Sequence, residues 1–399
     1  MTRADSPDPR RSWTRLDGVD ILRGLAIFFV LMNHVNMRLR GADVPYAAGL
    51  PDQLVSALVW NGQRGVQMFF AISGFLITAT SIRRWGALSK VSVRDFYRLR
   101  FARIAPLLAA LLAILSLLHF VHLKNFVVGA KAGGLSRALL AALTFRINVL
   151  EAKRGYLPGN WDILWSLSVE EVFYLLFPLI CIAAGRSKLL VAILLAFLWM
   201  GPFGRTLLSR GDPVWQEYSY IGGMDAIALG CLTALFVSRT TIPRTAVQLF
   251  AGMGSALLIF TVCFSHSSAS LFLHRYGLDM TVVGFGTSMV VAAAAQTRWS
   301  GPCVSKPLLR LGQRSYEVYL THMFVVFACF ELFVRLGKPL AAVPALFVCV
   351  ILVAGLTGEA VARFYSEPMN HLLRNRWGDG PDTLGSAVQM NKQAPVRRR

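Results

Sequence analysis

Long apolar runs separated by short polar, mostly basic segments make up most of this chain. Stretches such as Leu107–Leu118, Leu189–Met200, Ala246–Val262, Val282–Ala295 and Ala341–Leu356 are too continuous for the one-sided stripe of a soluble helix. They predict helices that cross a lipid bilayer. Spans are expected near 19–37, 65–82, 104–121, 167–184, 188–204, 221–238, 246–264, 279–296, 313–334 and 341–362, ten in all. Leu139–Leu150 is about a dozen residues interrupted by Arg146, short of the ~20 that a span needs. The pattern predicts an all-α integral membrane protein.

Composition agrees: of 399 residues, 55% are hydrophobic and 16% charged, and the mean hydropathy is +0.52. The net charge of +20 adds orientation. Basic residues gather in the short segments between spans, as expected of cytoplasmic loops. With Leu139–Leu150 not spanning and the N-terminus cytoplasmic, those loops and the two ends hold 27 of the 41 Lys and Arg. If it did span, the basic segments 297–314 and 363–399 would fall outside. Ten spans with both termini cytoplasmic is therefore the expected topology, with 120–166 a long external connection. Residues 1–16 and 371–399 read as basic tails flanking one membrane unit, 17–370. No cleavable signal peptide is evident, and the first apolar run looks retained.

The same distribution speaks against a nucleic-acid binder, which would collect its basic residues on one soluble module. No P-loop, Gly-rich phosphate loop or long repeat is present. Cys181, Cys231, Cys263, Cys303, Cys329 and Cys349 lie in or beside apolar runs without ligand spacing, so no metal site is expected.

Chemistry is to be sought where polar groups enter the spans, because ionisable groups in hydrocarbon are costly and usually face a cavity or a partner. Arg23 and His34 stand eleven positions apart, nearly on one helix face and about 16 Å apart along the axis. Four further segments share this character: Gly65-Val66-Gln67-Met68-Phe69-Phe70-Ala71-Ile72-Ser73-Gly74-Phe75-Leu76-Ile77-Thr78, the basic run Phe96–Pro106, Trp165-Ser166-Leu167-Ser168-Val169-Glu170-Glu171-Val172-Phe173-Tyr174, and Ser315-Tyr316-Glu317-Val318-Tyr319-Leu320-Thr321-His322. Plainer roles are open to several of them. Arginines of the basic run can be positive-inside anchors. Ser168 with Glu171 fits a capping box at the start of the fourth span, with Trp161 and Trp165 in an interfacial belt. Ser73 and Gly74 suit close helix packing.

In combination and order, these segments resemble the acyltransferase 3 family of bacterial membrane acyltransferases, over roughly residues 16–370. "GGMDAIALG" at 222–230 and "YSEP" at 365–368 are weaker matches. The resemblance implies an inner-membrane, multi-pass enzyme that takes an acyl group, often acetyl, from cytoplasmic acyl-CoA. The group passes to a hydroxyl of a carbohydrate, glycolipid or other acceptor at or beyond the membrane. It implies His34 and Arg23 at the reaction centre and the arginines after the second span, Arg98, Arg103 and Arg100, at CoA. Two positions depart from the family: Thr321 stands where a Trp often precedes the His, and the Asp225 helix lacks the Arg often found near it. The hydrolase-like domain fused to some relatives is expected to be absent.

The residue types fit this chemistry. Transfer to an alcohol needs a base of near-neutral pKa, or a nucleophile that carries the acyl group, and His serves as either. CoA phosphates suit arginine forks. Glu170 is expected to orient the acceptor or a catalytic group, and His322 and Glu171 to touch the acceptor. A transporter using Arg23 and His34 as a substrate or proton site is the rival; it calls for two related halves, and none is evident.

Overall fold

A computed structural model describes residues 16–185, 188–265, 267–297, 299 and 301–377. The tail expected at 1–16 thus lies outside the described residues except for Leu16, as does 378–399 of the C-terminal one. Every regular element among the described residues is a helix. It opens with α1 (Asp17–Gly41), a short α2 (Asp52–Val59), α3 (Gly62–Trp85) and α4 (Val93–Phe120). The connection that follows carries α5 (Gly134–Leu143), α6 (Ile147–Arg154) and α7 (Gly159–Asp162). Next come α8 (Leu164–Ala184), α9 (Lys188–Arg205), α10 (Pro213–Tyr218), α11 (Tyr220–Arg239) and α12 (Arg244–Cys263). The last third consists of α13 (Ser268–Arg275), α14 (Asp279–Gln296), α15 (Lys306–Gln313), α16 (Ser315–Arg335), α17 (Val343–Val361) and α18 (Glu367–Arg376).

Nine helical segments among the described residues are long and apolar enough to cross a membrane, or ten when α13 and α14, bent by 105° at their junction, count as one span. A helix occupies each of the ten expected positions, the one at 279–296 counting as a span only together with α13. Leu139–Leu150 does not form one: the chain breaks at Phe145, which takes a left-handed backbone (φ 55°), and the apolar stretch divides between α5 and α6. Helix also continues to Arg376, past residue 370 and into the expected C-terminal tail. The capping box expected at Ser168 is absent. That span starts earlier, and Ser168 lies inside α8 with its hydroxyl donating to the Leu164 carbonyl at 3.0 Å.

Small residues set the closest helix contacts, as in membrane bundles where van der Waals packing drives association. On α3 and α11, a Cβ at Gly74 would stand 2.0 Å from the Ile227 carbonyl oxygen, and one at Gly230 would stand 1.9 Å from that of Ala71. Any larger residue would force the two helices apart. Gly312 does the same for α15 against α1, where a Cβ would meet the Asp20 carbonyl oxygen at 1.7 Å.

One buried polar cluster ties four helices together. Arg205 of α9 reaches Asp225 of α11 through two bonds, of 3.1 and 2.6 Å. It also donates to the Gly277 carbonyl at 2.8 Å, to the Gly222 carbonyl and to Thr281 of α14. Gln67 of α3 donates to Asp225 Oδ1 at 2.9 Å and Thr281 to Oδ2 at 2.6 Å. The arginine missing from the neighbourhood of Asp225 in sequence is thus supplied by another helix.

Candidate active site

α1, α3, α4, α8 and α16 enclose a cavity of about 260 Å³. Each contributes because its polar residues fall on the face turned inward. From α1 comes Arg23, held by Asp20 three residues earlier at 3.5 Å. From α4 come Arg100 and Arg103, from α8 Ser166, Glu170 and Glu171, and from α16 Ser315, Tyr316 and Tyr319. α3 adds Ser73 beside the rings of Phe69 and Phe70.

The cations and carboxylates interleave. Ser73 donates to Glu170 Oε1 at 2.9 Å, so the serine expected to serve packing instead positions a carboxylate. Arg103 lies 3.7 Å from Glu317 Oε1 and its guanidinium sits 5.3 Å from the Tyr316 ring centre. Arg100 covers Tyr174 at 4.0 Å. Tyr316 and Tyr319 are anchored through their hydroxyls to the carbonyls of Ile104 and Ile163, both at 3.0 Å. Hydrogen-bonding capacity is left over: Glu171 Oε1 and both Glu317 carboxylate oxygens are buried without a hydrogen bond. Buried groups in this state are costly and mark places where a ligand or water can be accepted.

His34 is not part of the cavity lining. It is connected to it through two rings of α16. Tyr319, in the cavity wall, has its ring centre 5.7 Å from His322, and the His322 ring centre is 5.0 Å from that of His34. His322 Nδ1 stands 2.6 Å from the Tyr319 carbonyl oxygen. A carbonyl only accepts, so Nδ1 bears the proton and Nε2 keeps its lone pair. That Nε2 is fully buried and has no partner. The two imidazoles lie tilted at 41° to one another without a hydrogen bond between them.

The expected site residues therefore divide. Arg23, Arg100, Arg103, Glu170 and Glu171 meet in one cavity, while His34 and His322 form a contacting pair behind Tyr319. Arg98 lies elsewhere, 3.9 Å from Asp95 and 5.9 Å from the Trp377 ring centre. Helix periodicity separates the arginines: Arg100 and Arg103 are three apart and share a face, whereas Arg98 is turned by about 200° from Arg100. Tyr316 and Tyr319 join the cavity beyond the expected set, and Glu317 lies behind its lining, against Arg103. The spacing of Tyr316, Tyr319 and His322 at three-residue steps was the sequence signal for one inward stripe. Among the described residues no group of three or more His, Cys, Asp or Glu could hold a metal ion.

An all-α membrane bundle with a carboxylate- and arginine-lined cavity beside a histidine pair is the class that fold and site define. The sequence model of the acyltransferase domain, acyltransferase 3, matches residues 16–359; the chain belongs to this family. Its curated relatives include the O-acetyltransferase OatA of Staphylococcus aureus (strain NCTC 8325 / PS 47), 23% identical over 89% of this chain and 57% of that protein. The peptidoglycan O-acetyltransferase OatA of Listeria monocytogenes is 26% identical over 79% of this chain and 50% of that protein. The putative peptidoglycan O-acetyltransferase YrhL of Bacillus subtilis is 27% identical over 78% and 48%. The chain thus spans about half the length of the relatives it matches. No solved structure matches it.

Proposed function

We propose that this protein is a bacterial inner-membrane O-acyltransferase. In this reading it moves an acyl group, acetyl in the first instance, from cytoplasmic acyl-CoA to a hydroxyl of a cell-wall or exported carbohydrate. The observation that carries the reading is the convergence of Arg23, Arg100 and Arg103 with Glu170 in one cavity whose wall, Tyr319, leads to the His322–His34 pair. The relatives named as O-acetyltransferases, two of them as peptidoglycan enzymes, favour acetyl as the group and a wall glycan as the acceptor.

On the topology with both termini cytoplasmic, Arg23 lies toward the cytoplasmic end of α1 and His34 about 16 Å deeper along its axis. Arg100 and Arg103 would hold CoA phosphates, with Arg98 at the approach, and the pantetheine arm would carry the thioester inward. At about 260 Å³ the cavity is smaller than the ~300–1,000 Å³ of pockets that bury whole ligands. It suits only part of the donor, the rest of which would extend out of it. His34 takes the acceptor's hydroxyl proton or carries the acyl group on its imidazole. By either route the acyl–sulfur bond breaks, an acyl–oxygen bond forms, and the hydroxyl proton ends on the CoA sulfur. His322 packs its ring beside that of His34 and limits how it turns, and Glu170, fixed by Ser73, stabilises cationic partners beside the thioester.

The donor half of the reading is tested with the full chain in nanodiscs and radiolabelled acetyl-CoA. Replacing Arg100 and Arg103 together with Gln is expected to weaken binding about 150-fold or more, at ~1.5–3 kcal/mol for each bond to a charged group. Unchanged binding would contradict it.

A further inference from the structure

Arg38 lies one helical turn beyond His34 on α1, four residues on and so on the same side of the helix. On the proposed topology it is at the outer end, where the positive-inside rule disfavours arginine. Two arginines sit there, and they behave differently. Arg40 is exposed and lies over Trp60 at 5.1 Å, as a headgroup-level anchor does. Arg38 turns inward: its guanidinium is 4.2 Å from the Phe327 ring centre on α16. A Cβ built on Gly159 of α7 would stand 3.9 Å from its Nη2. Half-buried, it forms no ion pair with any carboxylate of the described residues. This contrasts with Arg23, Arg103 and Arg205, each of which has one, and Arg314, which has two. Next to Gly159, Asn160 is 1% exposed and neither its Nδ2 nor its Oδ1 has a partner. A cation without counter-charge thus lies one helical turn from His34, beside the backbone of the segment that carries a buried amide without partners.

We infer that Arg38, with Asn160, forms an acceptor subsite for an anionic group, a carboxylate or a phosphate, placed one helical turn from the hydroxyl that His34 activates. The inference rests on the proposed reaction and narrows its acceptor to an acidic glycan or a glycan on a phosphorylated carrier. A planar guanidinium stacked on Phe327 keeps its N–H edges free for a two-oxygen anion, a geometry that lysine cannot reproduce. Anchoring the acceptor there would align its hydroxyl on His34 and make the charge a specificity determinant.

The test is a ratio of kcat/KM values, measured with the full chain in nanodiscs and acetyl-CoA as donor. The acceptors are neutral chitotetraose, the same tetrasaccharide oxidised to bear a terminal carboxylate, and the same tetrasaccharide joined to a polyprenyl diphosphate. The wild type is expected to favour one charged acceptor over the neutral one by about tenfold or more, the scale of one charge-assisted bond. Which acceptor wins assigns the anion's source. Arg38→Gln is expected to bring that ratio to about one, and Arg38→Lys to leave it intermediate. A wild-type ratio near one overturns the subsite without recourse to any variant, as does an undiminished ratio in Arg38→Gln. His34→Ala separates the two levels: transfer to every acceptor should fall by about 10²–10⁴. If it persists, the proposed reaction fails, whereas a flat ratio with an inactive His34→Ala removes only the anion subsite.

Discussion

Arg205 and Arg103 are both arginines inside the helical bundle, and they are treated in opposite ways. Arg205 is 5% exposed, and every nitrogen of its guanidinium donates, to Asp225, two carbonyls and Thr281. Asp225 in turn is saturated by Gln67 and Thr281. Arg103 keeps 37% of its side chain exposed toward a cavity and meets Glu317 only at 3.7 Å, leaving both carboxylate oxygens without a hydrogen bond. Ionisable groups inside a bilayer suggest function by default, and the two sites differ in how completely their charges are paired. On the proposed function, the closed network fixes helices and the open one receives a ligand.

The contrast can be broken at its closed side first. Arg205→Leu leaves Asp225 as a buried, uncompensated carboxylate and is expected to cost about 3–5 kcal/mol of stability, read as a lower thermal midpoint in detergent. Arg205→Leu with Asp225→Leu should recover most of it, since a removed pair costs far less than a broken one. If the double variant is no better than the single, the network is not a closed pair. At the open side the loss should appear in catalysis. Arg23→Leu is expected to lower acetyl transfer by about 10²–10³, the scale of a lost electrostatic contact in a reaction centre, with a thermal midpoint near that of the wild type. A large loss of stability with unaltered transfer per folded molecule would place Arg23 with Arg205. Finer still, Ser73→Ala removes one hydrogen bond to Glu170 and should reduce transfer about threefold to tenfold, for ~1 kcal/mol. Equal rates for the two proteins would return Ser73 to a packing role.

How far these features could be read from sequence follows the range of the interaction. The spans were legible because each is a predominantly apolar run of sufficient length, a local property, and the Phe145 break divides Leu139–Leu150 into two short helices. Arg23 and His34 were legible because one helix carries both. The start of α8 was misjudged: Ser168 and Glu171 have capping-box spacing, yet Trp161 and Leu164 already lie in helical segments with their faces buried. The partners across helices were not legible. Arg205 is twenty residues from Asp225, Glu317 more than two hundred from Arg103, and only the packing geometry pairs them. The same holds for Ser73 and Glu170, on helices whose approach depends on small residues such as Gly74. Arg98 and Arg100 differ by a rotation that periodicity records but a count of basic residues does not.

The central claim is that the histidine pair completes the reaction that the arginine-lined cavity begins. It is tested most directly by His34→Ala in proteoliposomes supplied with radiolabelled acetyl-CoA and a glycan acceptor. Loss of the proton acceptor or acyl carrier should lower transfer by about 10²–10⁴. Acetyl-CoA binding should stay within about threefold of wild type, since His34 lies behind Tyr319 and outside the cavity lining. Transfer by His34→Ala at the wild-type rate, in protein that is folded and binds acetyl-CoA, would contradict the account.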